Sequence, residues 1–173
     1  MKQPSLKTKR LLLRTFKQQD AGQVQALAGN ENVSKSTLNI PHPYKDGMAE
    51  DWIDSHEMSW ESKSKIIFAI TKLYNKQLIG TVGLVEITRD QAEIGYWIGE
   101  PFWGNGYCTE ATKALINFSF TQLGLNKLIG VHLASNPASG KVMEKAGMLH
   151  IKSDKIKDRF GAYVDAEIYE IEK

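Results

Sequence analysis

The sequence predicts a mixed α/β (α+β) layer sandwich, one domain over residues 1–173, in which an antiparallel meander feeds a helix and then a further strand. Three observations carry this. Residues 66–72, 78–88 and 91–98 are rich in β-branched and apolar side chains and are separated by turn residues. From Gly104 the apolar spacing becomes helical, with Ala111, Ala114, Leu115 and Phe118 on one stripe. Residues 137–146 carry both helix-end signals, Asn136-Pro137 at the start and Gly147 after the end.

In chain order, Arg10-Leu11-Leu12-Leu13-Arg14 reads as a buried strand. A helix follows near 18–28, which Asp20 is placed to cap and Gly29-Asn30 to end. After Pro41-His42-Pro43, the residues Met48, Trp52, Ile53, His56 and Trp60 recur at helical spacing, so a second amphipathic helix packs by its Trp stripe. Tyr74-Asn75-Lys76 joins the first two meander strands and Arg89-Asp90 joins the third. Gly124 closes the next helix, 127–134 is a strand, and strands at 148–158 and 163–171 meet around Gly161. The order is β-α-α-β-β-β-α-β-α-β-β.

Composition narrows the class of function. The 173 residues include 42% hydrophobic and 24% charged, a folded-domain composition without repeat or linker. A net charge of +2 disfavours nucleic acid and membrane surfaces as partners. Its parts differ, however: residues 1–17 hold six basic groups and no acid, while 44–62 hold six acids against Lys45. Cys108 is the single cysteine, and histidines 42, 56, 132 and 150 lack metal-ligand spacing, so no disulfide and no metal site is expected. The opening residues lack the apolar core of a signal peptide and no run approaches a membrane span, so a cytoplasmic enzyme or binding domain is expected.

The informative stretch is Ile98 to Ala111, where a strand ends, Gly104 and Gly106 alternate with other residues, and a helix begins. Glycines let the backbone approach a ligand, and the first helical turn offers unpaired N–H groups at its positive dipole end, which suits a phosphate or diphosphate. Gly-x-Gly alone fits a plain loop as well. It is neither a P-loop, since no Gly-Lys-Ser/Thr follows, nor a dinucleotide fingerprint, since the third glycine is missing.

Trp103-Gly104-Asn105-Gly106-Tyr107-Cys108 resembles the Gln/Arg-x-x-Gly-x-Gly/Ala acetyl-CoA motif of the GNAT acetyltransferases, in the form used by the RimJ/RimL-like ribosomal-protein N-acetyltransferases. Three further segments agree in order: Thr8 to Arg14, Ala92 to Trp97, and Asn136-Pro137-Ala138-Ser139 with Glu144 to Met148. The likeness spans about residues 8–171. It implies a mostly antiparallel seven-stranded sheet splayed between strands four and five, flanked by about four helices.

The resemblance also implies roles. Backbone amides of Gly104, Asn105, Gly106, Tyr107, Cys108 and Thr109 hold the CoA diphosphate, with Thr109 adding a hydroxyl. Pantetheine lies along Trp97, Ile98 and Gly99, and the Ile98 amide polarises the thioester carbonyl. Asn136 is both a helix cap and a residue facing the cofactor. Ser139 binds CoA or protonates the departing thiolate, because Met143 stands where many relatives have an acid Tyr; Tyr107 and water are the alternatives. Glu93 is either the general base, through water, or a solvent-facing strand residue. The acidic helix borders the acceptor, where its carboxylates either attract an amine or form a solvated face. His42 and Tyr44 lie near the acceptor, and Cys108 is a small packing residue. The implied activity is acetyl-CoA-dependent transfer to a primary amine by direct attack, first a protein N-terminal amine, then an antibiotic, metabolite or polyamine amine. A non-catalytic acyl-CoA-binding module is the rival, and the protein is expected to be a monomer or homodimer.

Overall fold

The computed structural model describes residues 2–173. One eight-stranded sheet runs through it in the order β1-β2-β3-β4-β5-β6-β8-β7. The strands are β1 (Leu6–Lys7), β2 (Leu11–Arg14), β3 (Ile66–Lys72), β4 (Leu78–Ile87), β5 (Gln91–Ile98), β6 (Lys127–Leu133), β7 (Leu149–Lys157) and β8 (Tyr163–Glu172). Neighbours are antiparallel except β5 and β6, which are parallel. The helices are α1 (Ala21–Ala28), α2 (Glu31–Lys35), α3 (Met48–Glu61), α4 (Tyr107–Thr121) and α5 (Pro137–Lys145).

Two elements exceed the expected seven strands and four helices. β1 is a two-residue extension paired with β2, too short to carry a period. α2 is hidden because Asn30, read as the end of α1, instead caps the next helix, accepting from the N–H groups of Asn32 and Val33. The gap expected between the fourth and fifth strands therefore lies between β5 and β6.

Two expected caps are absent. Asp20 precedes α1 without capping it. Its carboxylate turns back to the Lys17 N–H at 2.8 Å and to both terminal nitrogens of Arg14, a stronger set of charge-assisted partners. Asn136 precedes α5 likewise without a cap bond, and its side-chain amide donates to the Ser36 carbonyl at 3.0 Å. The Gly147 stop does hold, at φ +96°.

The sheet buries both faces. Against α4 and α5 lie Leu11, Leu13, Phe68, Ile70, Leu84 and Ile94, joined by Leu115, Leu128 and Met143. Phe68 meets Phe118 edge-on at 5.8 Å, so truncating either ring would cost about 3–5 kcal/mol. On the other face α1 and α3 cover Ala69 and Leu78 with Val24, Ala28, Ala49 and Ile53, and Trp52 and Trp97 pack at its rim. Alternation along β5 thus sends Ala92, Ile94 and Ile98 to the α4 side and Trp97 to the α1–α3 side.

Candidate active site

The sheet opens where the site forms. β5 pairs with β4 out to Ile98 but with β6 only from Gln91 to Ile94, ending opposite Gly130. Beyond Ile94 the two parallel strands part. The Gly99 N–H donates to Ile79 across β4 at 2.9 Å, and strand amides alternate in direction, so the N–H groups of Tyr96 and Ile98 point into the gap. The Ile98 carbonyl accepts from the Trp103 indole N–H at 2.7 Å. Gly99 therefore has no amide to offer a ligand. Trp97, paired with Thr81 in the ladder, offers its side chain.

A cleft of about 610 Å³ passes through this opening. Trp97, Ile98, Gly104, Gly106, Tyr107, Cys108, Thr109, Asn136, Ser139, Glu93 and Tyr44 line it, whereas Gly99, Asn105 and His42 do not. His42 lines a separate hollow beside the turn at Asp158–Phe160. Asn105 turns its side chain back onto the Phe102 and Trp103 carbonyls, which holds the loop.

Gly104 and Gly106 both have positive φ, +76° and +73°. A Cβ on Gly104 would meet nothing within 4 Å, so the space beside the loop is open. Gly106 occupies the N-cap of α4 without a side chain, and the first helical bond is made by Glu110, which leaves the amides of Tyr107, Cys108 and Thr109 without helical partners. Open space, paired glycines and unpaired amides at a helix start fit a diphosphate. The Cys108 thiol is pushed up to about 12 by burial, so it stays protonated and packs.

On the α5 side, Ser139 is buried and its hydroxyl lies 2.9 Å from the Tyr96 phenol. Sequence reasoning passed over Tyr96 because the contact joins residues far apart in the chain. Burial raises its pKa well above the ordinary tyrosine value. Met143 is fully buried, and its sulfur would lie 2.8 Å from a Cβ on Gly130.

On the opposite side, Glu93 shares the Trp97 face of β5, and its pKa is raised by burial and by Glu86. It is the one acidic side chain lining the cleft among the described residues. The acidic helix turns Trp52 toward the cleft, while Glu50, Asp51, Asp54, Glu57 and Glu61 do not line it. The solvated-face reading of those acids is the one the geometry fits. Tyr44 contributes a half-buried phenol. Glu93 and Ile98 are five residues apart, about 16 Å along an extended strand, a span that side-chain reach and a water would have to bridge. Tyr96, whose amide also faces the gap, is nearer.

An anion cradle on one face and a carboxylate on the other, joined by one cleft, describe a two-substrate transferase. The Acetyltransferase (GNAT) domain family matches residues 10–149, and the chain belongs to it. It is similar to the uncharacterized N-acetyltransferase YoaA of Bacillus subtilis (strain 168), 30% identical over 146 residues covering 83% of this chain and 82% of that protein. The uncharacterized N-acetyltransferase p20 of Bacillus licheniformis is 32% identical over 154 residues, 84% and 85% of the two chains. Two solved structures share the fold with a TM-score of 0.85: the microcin C7 self immunity acetyltransferase MccE with acetyl-CoA and AMP, at 21% identity over 96% of this chain and 94% of that one, and RimL, the ribosomal L7/L12 alpha-N-protein acetyltransferase, with coenzyme A, at 16% identity over 98% of both. The protein is a GNAT N-acetyltransferase. Among the described residues no helix is long and apolar enough to cross a membrane.

Proposed function

We propose that the amine acceptor is a protein N-terminal α-amine, reached from the α1–α3 side of the sheet. The observation that carries this is the solitary Glu93. A polyamine or a lysine-rich tail calls for several carboxylates, and the acceptor side supplies one carboxylate among Tyr44, Trp52 and Trp97. An α-amine, with a reference pKa of about 7.7–8.0, already has a neutral fraction near pH 7 and needs only modest help from a base.

The amides of Gly106, Tyr107, Cys108 and Thr109 would hold the diphosphate. Acetyl-CoA, when bound, supplies an acetyl group activated as a thioester. The Ile98 N–H binds the pantetheine arm and the Tyr96 N–H donates to the carbonyl oxygen. Glu93 takes the amine proton through a water, and the leaving sulfur takes its proton through the Ser139 hydroxyl, which turns from Tyr96 to the sulfur and is refilled from water, so that no alkoxide is left. Asn136, bonded to Ser36, ties the loop before α3 to the start of α5 at the cleft wall.

The reading is tested with thiol release over a panel of peptides with free and blocked α-amines, a lysine side-chain peptide, spermidine and small aromatic amines. Release that needs a free peptide α-amine is expected. Preference for spermidine or for a small amine refutes the acceptor assignment, and binding of acetyl-CoA with no release for any amine refutes turnover.

A further inference from the structure

Arg10 lies far from the glycine loop in sequence and touches it directly. Its Nη1 donates to the Asn105 carbonyl at 2.9 Å, and its Nε donates to Glu110 at 2.7 Å. The Arg10 backbone N–H and the Thr8 hydroxyl donate to the other Glu110 oxygen at 2.8 and 2.6 Å. The guanidinium stands 4.6 Å from the centre of the Tyr107 ring, and the Lys72 ammonium 5.7 Å from the same ring.

Two consequences follow for an anion at the loop. The Asn105–Gly106 peptide is trans, so its N–H is antiparallel to its carbonyl. Gripping that carbonyl aims the Gly106 N–H away from Arg10. Glu110, in the first turn of α4, brings a negative charge to the same helix end. Burial pulls its pKa up, but the bonds from Thr8 and Arg10 outweigh this and hold it ionised, so its charge needs a compensating cation.

We propose that Arg10 is a positioning residue for the donor: it orients the glycine-loop amides through Asn105 and neutralises Glu110, so that the loop accepts the CoA diphosphate. This rests on the reading that the loop holds that group. A guanidinium spans the two acceptors with separate N–H groups, which a single ammonium cannot do in the same geometry.

Calorimetric dissociation constants for CoA and 3′-dephospho-CoA, with a thermal melt of each variant, test it without an acceptor. Arg10→Gln is expected to weaken both ligands by the same factor, about tenfold. Arg10→Lys should regain little, whereas Arg10→Gln with Glu110→Gln should regain at least about threefold by removing the uncompensated charge. The double variant also serves if Arg10→Gln fails to fold. Affinities within twofold of the native protein, a loss confined to CoA, full recovery in Arg10→Lys, or no recovery in the double variant would each overturn the assignment. Gly106→Val separates the two levels. If it too binds both ligands normally, the glycine-loop reading fails; if it loses binding while Arg10→Gln does not, the Arg10 inference alone fails.

Discussion

The Tyr96 phenol donates to the Ser139 carbonyl at 3.0 Å and shares a 2.9 Å hydrogen bond with the Ser139 hydroxyl, bridging β5 to the first turn of α5 beside the gap. Its raised pKa keeps the phenol protonated, so it holds Ser139 in place rather than ending a proton transfer ionised. Tyr96→Phe is expected to lower kcat about tenfold and leave the KM for acetyl-CoA within about twofold; Ser139→Ala should do the same. Since the two act as one unit, the double variant should lose little more than either single one. Multiplicative losses in steady-state rates would show that they act separately.

Glu93 joins activity to stability. Its folded pKa is raised, so the protonated form favours the fold at low pH, and this contribution is lost as pH rises through the folded pKa. In its ionised form the carboxylate is therefore a cost to the fold. Glu93→Gln should raise the melting temperature at pH 7 while cutting turnover about tenfold or more and erasing the acid limb of the pH–rate profile. Glu86→Gln, which removes a neighbouring negative charge, should move that limb to lower pH.

His56 predicts the behaviour of the fold in acid. Its ring lies 4.4 Å from that of Trp52 and 5.4 Å from that of Phe16, and both ring nitrogens are buried without hydrogen-bond partners. Burial, with Lys65 nearby, lowers its pKa to about 4 from 6.5. The unfolded chain takes up a proton at the higher value, so stability is full above about pH 6.5 and falls toward pH 4, by up to about 3 kcal/mol. His56→Phe should flatten this acid limb, read as melting temperature between pH 4.5 and 7.5; an unchanged slope would assign acid sensitivity to other groups.

The family resemblance calls for a tyrosine acid where Met143 stands, and packing explains why a phenol does not simply fit. The side chain is buried hard against Gly130. Met143→Tyr should lower stability by about 1–3 kcal/mol through overpacking and give no gain in turnover. A faster variant with a normal melting curve would contradict this.

Local signals carried most of the fold. The meander and the glycine-opened helix were legible because strand and helix periods and turn residues act over a few neighbours. The Asp20 and Asn136 caps misled for the same reason: each side chain found a better partner, Arg14 and Ser36, than the adjacent helix end. In the site, the loop amides were legible and their supports were not. Arg10 meets Asn105 across 95 residues and Tyr96 meets Ser139 across 43, distances at which sequence spacing says nothing about contact. His42 fell near the acceptor only by its place in the loop, and the loop carries it into the neighbouring hollow.

The parting of β5 from β6 has a thermodynamic side. Four residue pairs, from Gln91–Lys127 to Ile94–Gly130, join the two halves of the sheet, and beyond them backbone donors on β5 lack a strand partner. On the proposed placement, a donor molecule seated there would complete the ladder and become part of what holds the halves together. Mass action then sets the resilience of the fold: at a hundredfold excess over its dissociation constant such a ligand adds about 2.7 kcal/mol. The same protein should then be sturdier where acetyl-CoA is abundant than where it is depleted.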